Sequence, residues 1–401
     1  MRITIPNCKY SLPKIFTIVF LLIILTASLA TYETDQKSYF AVAVYLALFF
    51  LIFTKRPAKI IGYPVIISAI MIAVWLYGFV LGVVLKNGMS NVVRNFAGMA
   101  TYVLVVPLLN SDVVNDGFVK IIKGVANYAL FITLFTYFVL TFYNAKFVFN
   151  IPVISAFVGL GGVGGFVQYF CRELIHVSFA YHLYQLLYTN NRGIWSLVML
   201  ILIAIESVVV NDSGGDLFAM CILALTIMIS QFHRTTFRAV LLASLGVCFL
   251  LCFLIYYGTG PLSLLFSLQD IGNARRMDQI QYFMENWSFV GWGLGSALGS
   301  FGNKTYNYGT EMIYFNLFHK FGIMAMLVIM CYMSTVLRAY KHLKQSRDAN
   351  GVIPIALMAY LITSLANPML FSTISVLSHI LAMILMTRKE GKPSLLKENL
   401  A

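Results

Sequence analysis

Glu311 stands where a polar stretch meets a long apolar run, in the string TYNYGTEMIYFNLFHKFGI. A carboxylate at the edge of a low-dielectric region is poorly hydrated and accepts a proton more readily, which suits a general base. A second reading fits equally well, because a Glu in the first turn of a helix is favoured by the helix dipole. Arg172 opens another apolar run, FCRELIHVSFAYH, with His176 one turn further on the same helical face. An arginine at membrane depth costs about 2.5–3.5 kcal/mol, so it either lines a polar cavity or snorkels to the interface beside Glu173. Arg275 and Arg276 lie in GNARRMDQIQYFMENW. Guanidinium forks match phosphate oxygens, and adjacent arginines on a helix point about 100° apart, so one can face a ligand while the other pairs with protein or lipid headgroups. Asp212 and Asp216 fall in NDSGGD, where a helix cap, a contact to a substrate hydroxyl and a weak cation site all remain open. Trp287 and Trp292 offer flat apolar faces of the kind sugars stack on, and Tyr314 and His319 follow Glu311 into its apolar run. His176 and His182 are six residues apart and make a poor metal pair. The residues therefore suit phosphate binding and base catalysis, with no convincing metal site and no cofactor motif.

These residues must be positioned by membrane-spanning helices. The chain has 401 residues, 60% apolar and 11% charged, whereas soluble proteins average about 45–50% apolar and about 25% charged. Apolar runs fall near 15–30, 39–53, 64–85, 93–109, 125–142, 173–189, 193–210, 216–230, 239–257, 311–337, 352–366 and 371–387. At about 20 residues per span, they predict an all-α polytopic protein with about 12 transmembrane helices in one membrane domain, 1–401. The apolar residues come in blocks rather than alternating, which excludes a β-barrel.

The net charge of +13 is unevenly distributed. Lys55, Arg56, Lys59, Lys120, Lys123, Arg234, Arg238, Arg338, Lys341, Lys344 and Arg347 fall, with both termini, on one set of connections. By the positive-inside rule that set is cytoplasmic, so the charge reports orientation and not nucleic-acid binding. The extracytoplasmic face then carries a Gly-rich segment, 143–172, and the long loop 258–310. Within that loop Met277, Ile280, Met284 and Trp287 form one apolar stripe, predicting an amphipathic helix lying on the membrane. The glycines of SFVGWGLGSALGSFG would permit tight turns and close approach of a ligand to backbone amides. Gly159, Gly161 and Gly164 match G-x-G-x-x-G but lack a strand–helix context, which excludes a dinucleotide site and leaves a bend beside a cavity. The six cysteines show no metal-type spacing and are read as free thiols. Glu206, inside a span, requires a buried partner or a protonated state.

The order of Arg275, Arg276, Trp287, the GWGLGS turn, Glu311 and the segment His319–Ile323 resembles the O-antigen polymerase and ligase group of bacterial envelope proteins. In the ligase branch a His typically stands where this chain has Glu311, so the likeness favours a Wzy-type polymerase. The resemblance implies undecaprenyl-diphosphate-linked oligosaccharides as donor and acceptor, within the inner membrane, with the active site facing the periplasm. A chain-length regulator is a further implied partner. Glu311 would be the catalytic base, and Arg172, Arg275 and Arg276 would hold the diphosphate. Asp212, Asp216, His176, Trp287, Trp292, Tyr314 and His319 would line the substrate. The alternatives are a ligase, a flippase for the lipid-linked unit, and a polyprenyl-phosphate glycosyltransferase using Glu33 and Asp35 in a short outer loop.

Overall fold

The structure is a computed structural model describing residues 62–110, 113–143, 158–160, 167–169, 172–189, 193–210, 214–232, 271–296, 312–365, 370 and 372–390, with part of 15–22. The apolar runs at 39–53 and 239–257, and most of 15–30, lie outside the described residues.

The described runs are helical. α1 spans Tyr63–Val84 and begins with a proline in its first turn, where a missing N–H costs nothing. α2 (Met89–Ala100) continues through a 3₁₀ turn, Thr101–Leu104, into α3 (Val105–Asn110). α4 is Asp116–Tyr143 and α5 is Arg172–Tyr188. α6 (Gly193–Ile205) ends in a π turn, Glu206–Val210, and α7 is Gly214–Ser230. α8 (Ile271–Glu285) is the predicted loop helix. α9 (Ile313–Phe321), a 3₁₀ turn (Gly322–Met324) and α10 (Ala325–Gln345) form one interrupted helix. After a 3₁₀ turn, Ala349–Val352, the chain folds through α11 (Ile353–Leu357), α12 (Tyr360–Thr363) and α13 (Thr373–Glu390).

Among the described residues four helices are long and apolar enough to cross a membrane: Tyr63–Val84, Met89–Leu109, Asp116–Phe142 and Ile313–Gln345. Their outer faces agree with that environment. Phe131, Phe135, Phe138 and Phe142 repeat along one exposed side of α4, and Ile66, Leu76, Val80 and Val83 line the outside of α1. Such stripes would be expelled from water but rest in lipid. The protein is thus a helical, membrane-embedded chain.

One departure from the all-α expectation is a short antiparallel hairpin, β1 (Val158–Leu160) with β2 (Val167–Tyr169), pairing Gly159 with Gln168. The Gly-rich segment therefore contains paired strands, while most of the run expected to bend lies outside the described residues. Gly161 and Gly164 lie outside the described residues.

α5 is the polar helix of the bundle, yet it packs against α4, α6, α7 and α11 and is buried along most of its described length. Its polar groups meet partners on neighbouring helices. The Ser178 hydroxyl donates to Asn127 Oδ1 at 2.7 Å, and His182 lies 3.3 Å from Ser196 Oγ. A second buried network ties α1, the Thr101–Leu104 turn, α10 and α13. Thr335 Oγ1 lies 3.1 Å from Cys331 O, 2.8 Å from Tyr63 OH and 2.8 Å from His379 Nε2. His379 Nδ1 in turn pairs with Tyr102 OH, 2.6 Å away. In lipid, interhelical hydrogen bonds of this kind fix which helices touch.

The ends bearing the basic connections converge on one face. Lys123 Nζ donates to Asn350 Oδ1 at 2.8 Å, Gln231 Nε2 donates to Leu343 O at 2.6 Å, and the Arg338 guanidinium lies 3.9 Å from the centre of the Tyr63 ring. α5, α7 and α9 start at the opposite face, at Arg172, Gly214 and Ile313.

Candidate functional site

At that opposite face the NDSGGD segment leads into α7, and Asp216 lies in its first turn. His176 projects from the second turn of α5. The two are almost fully buried, with His176 Nε2 3.7 Å from Asp216 Oδ1. Glu206 is fully buried in the π turn at the end of α6, accepting from Ser207 Oγ at 3.2 Å. Ser207 Oγ also touches Met220 Sδ, one turn below Asp216 on α7, so Glu206 and Asp216 belong to one neighbourhood. A π turn widens the helix and re-aims its side chains, and such turns recur at functional sites. His176 and Asp216 thus pair where α5 and α7 begin, and Glu206 at the end of α6 is linked to α7 through Ser207 and Met220. Among the described residues no group of three metal-ligating side chains forms a cation site.

Arg172 is the first residue of α5, one turn from His176; its side chain lies outside the described residues, as does Asp212. Because His176 and Asp216 are buried together, their substitutions should be coupled. We expect a double-mutant cycle of His176→Gln and Asp216→Asn, followed by thermal unfolding in detergent, to give an interaction of about 0.5–3 kcal/mol. Strict additivity would mean the contact contributes nothing.

The second part of the face is built by α8, the turn after it, and α9. Met277 and Met284 on α8 are exposed, while Gln279 is buried and its Oε1 accepts from Met312 N at 3.1 Å. Met277 and Met284 thus point outward, while Gln279, Tyr282 and Phe283 face α9, the Phe283 ring lying 5.2 Å from that of Phe315. The helix ends at Glu285, so Trp287 lies beyond it. Arg275 and Arg276 fall in the second turn of α8, and their side chains lie outside the described residues. Glu311 also lies outside them. It precedes α9, which is capped at Met312 and has no acidic residue in its first turn.

The glycine turn behaves differently from the sequence expectation. Its amides are consumed by the protein itself. Trp292 N donates to His319 O at 2.8 Å, Gly293 N to Lys320 O at 2.9 Å, Leu294 N to Gly78 O at 2.8 Å and Gly295 N to Asn95 Oδ1 at 3.0 Å. Asn87 Nδ2 closes the turn by donating to Trp292 O and Leu294 O. The close approach that glycine permits is to Gly82 on α1 and to the α9 break at Gly322, not to a ligand. Gly293 sits at φ +74° with its Cα against the Gly82 backbone, so a side chain at either position meets main chain.

This plug explains the interrupted helix. Gly322 adopts φ +54°, and the carbonyls of His319 and Lys320 leave the helical ladder to receive Trp292 and Gly293. Non-helical backbone at membrane depth survives only when protein satisfies it. Lys320 is fully buried and donates from Nζ to Ser296 O at 2.5 Å. Its position inside an apolar run was visible in the sequence; Gln279, Asn87 and Asn95 carried no signal.

Trp292 is part-exposed, stacks on the His319 ring at 6.3 Å and donates from Nε1 to Asn286 O at 2.8 Å. Tyr282 meets the other side of His319 at 5.9 Å. Trp287 is half-exposed beside Phe289. Tyr314 donates its hydroxyl to Leu361 O at 2.6 Å, while its ring lines an apolar groove of about 560 Å³. The groove runs between α7, α10 and the α11–α12 segment, past Leu223, Met333 and Val336. Among the described sequence-predicted site residues Tyr314 alone lines it; its other walls are later turns of α7, α10 and the α11–α12 segment. No protein-family model matches the chain, and no curated protein matches it.

Proposed function

We propose that the protein polymerises oligosaccharide repeat units carried on undecaprenyl diphosphate, by glycosyl transfer at the extracytoplasmic face of the bacterial inner membrane. The observation that carries the reading is the apolar groove of about 560 Å³ that Tyr314 lines among the membrane helices. The apolar tail of a lipid-linked substrate fits such a groove. Trp287 and Trp292, both part-exposed, supply flat surfaces for sugar rings.

In the proposed step, a hydroxyl oxygen of the acceptor sugar attacks the anomeric carbon of the donor. The carbon–oxygen bond to the lipid diphosphate breaks, and the electron pair leaves with the diphosphate. Glu311 takes the hydroxyl proton. Arg172, Arg275 and Arg276 stabilise the departing charge, the largest electrostatic demand of the transition state. Asp212 contacts a sugar hydroxyl, the buried His176–Asp216 pair positions the starts of α5 and α7, and His319 holds the plane of Trp292. Direct displacement of this kind inverts the anomeric centre.

The test is purified protein with synthetic lipid-linked repeat units and a chelator. Ladders of longer glycans with lipid diphosphate released are expected. Transfer of a glycan to a lipid-core acceptor alone would instead mean a ligase. A flippase is the second reading, favoured by one observation: α9 and α10 are broken at Gly322 beside the buried Lys320, as helices often are in transporters. In liposomes a flippase would move the lipid-linked unit between leaflets without lengthening it.

A further inference from the structure

The basic face carries a polar cavity of its own, about 190 Å³, between α4, α5 and α6. Lys120, Lys123, Asn127, His182, Trp195 and Ser196 are among its lining residues. Lys120 and Lys123 are three apart on α4 and so share a face. Lys123 is held in place, donating to Asn350 Oδ1 at 2.8 Å with its Nζ 3.9 Å from the centre of the Tyr181 ring. Lys120 is exposed at the rim. Inside, His182 lies 3.3 Å from Ser196 Oγ and 3.4 Å from Asn127 Oδ1, presenting polar groups that a phosphate oxygen can engage. Among the described residues no carboxylate lines the cavity.

Apolar side chains flank the mouth: Trp195 is half-exposed and its neighbour Ile194 is 84% exposed, a surface that lipid would cover. Tryptophan concentrates at headgroup level, and basic pockets between helices on the cytoplasmic side suit anionic headgroups. We infer that this cavity binds the phosphate monoester headgroup of an anionic lipid, with Lys120 and Lys123 supplying charge and Ser196 and His182 hydrogen bonds. The ligand's apolar chains would lie along Ile194 and Trp195. The inference uses no feature of the glycosyl-transfer reading, and its test contains no sugar substrate.

The experiment is thermal unfolding and native mass spectrometry of the full chain in neutral detergent, with mixed micelles of phosphatidic acid or phosphatidylcholine. Phosphatidic acid should be retained and should raise the melting temperature; phosphatidylcholine should do neither. Lys120→Gln should weaken phosphatidic acid about fivefold, the worth of one lysine near an anionic surface, while melting unchanged without lipid. Lys120→Arg should bind as the native protein does. Lys123→Gln also loses the Asn350 and Tyr181 contacts, so Lys120→Gln carries the result. Inorganic phosphate at equal concentration that protects as well as phosphatidic acid would overturn the lipid source in favour of a soluble phosphate. Equal binding of the two lipids, or undiminished phosphatidic acid binding by Lys120→Gln, would overturn the inference.

Discussion

Glu311→Gln is expected to abolish long-chain glycan while leaving the amount of protein in the membrane unchanged. A positioned general base contributes about 10²–10⁴-fold to proton transfer, so chain extension by the purified variant should fall by that range. The amide keeps the size and polarity of the side chain but cannot accept the hydroxyl proton. The competing role, a helix cap, predicts a different outcome: lower stability and nearly normal activity. The structure bears on that competitor. α9 starts at Ile313, its cap is Met312, and the Met312 N–H is already taken by Gln279 at 3.1 Å. A residue before the cap gains little from the dipole, which falls off within the first turn. Glu311→Asp should retain part of the rate, because the proton acceptor is kept and only its reach shortens. Normal polymer length from Glu311→Gln would remove this carboxylate from the mechanism and leave the histidine and carboxylates at the α5–α7 ends as the remaining acid–base groups.

The second large effect concerns folding. Gly82→Val should destabilise the protein by the upper part of the roughly 1–3 kcal/mol range for overpacked sites, and lower the yield of folded protein. A Cβ at Gly82 would run into the backbone carbonyl and amide of Leu294. Neither belongs to a flexible side chain, so relief requires pulling the 291–296 turn off α1. That would expose the carbonyls of Gly78, His319 and Lys320, whose partners are amides of this turn. In hydrocarbon each lost partner costs more than it would in water. Gly124→Ala is the matched control, since nothing lies within 4 Å of the added atom. An alanine in mid-helix should leave stability unchanged or raise it by up to about 1 kcal/mol. Equal melting temperatures for Gly82→Val and the native chain would mean that the turn does not depend on this contact.

The sequence alone determined the helical membrane character and the position of the described helices to within a few residues at most ends. Hydropathy over twenty residues is a local property, and lipid asks nothing further of a helix than that it be apolar and long enough. The amphipathic stripe of α8 was legible for the same reason, since Met277, Ile280 and Met284 recur at helical spacing. Tertiary structure decided what those elements do to one another. Nothing in the order of residues marks Asn87 and Asn95 as the partners of a turn some two hundred positions away. Nor does it show that Gln279 caps α9, or that His176 on α5 meets Asp216 on α7. The glycines of 291–295 promised close approach in either case, but only the packed structure shows that the approaching group is the backbone of α1 and α9. The reason is physical. A glycine run specifies freedom rather than a partner, and a polar side chain in an apolar run must be satisfied without specifying by which group. Those choices are made by long-range contacts that no local pattern encodes.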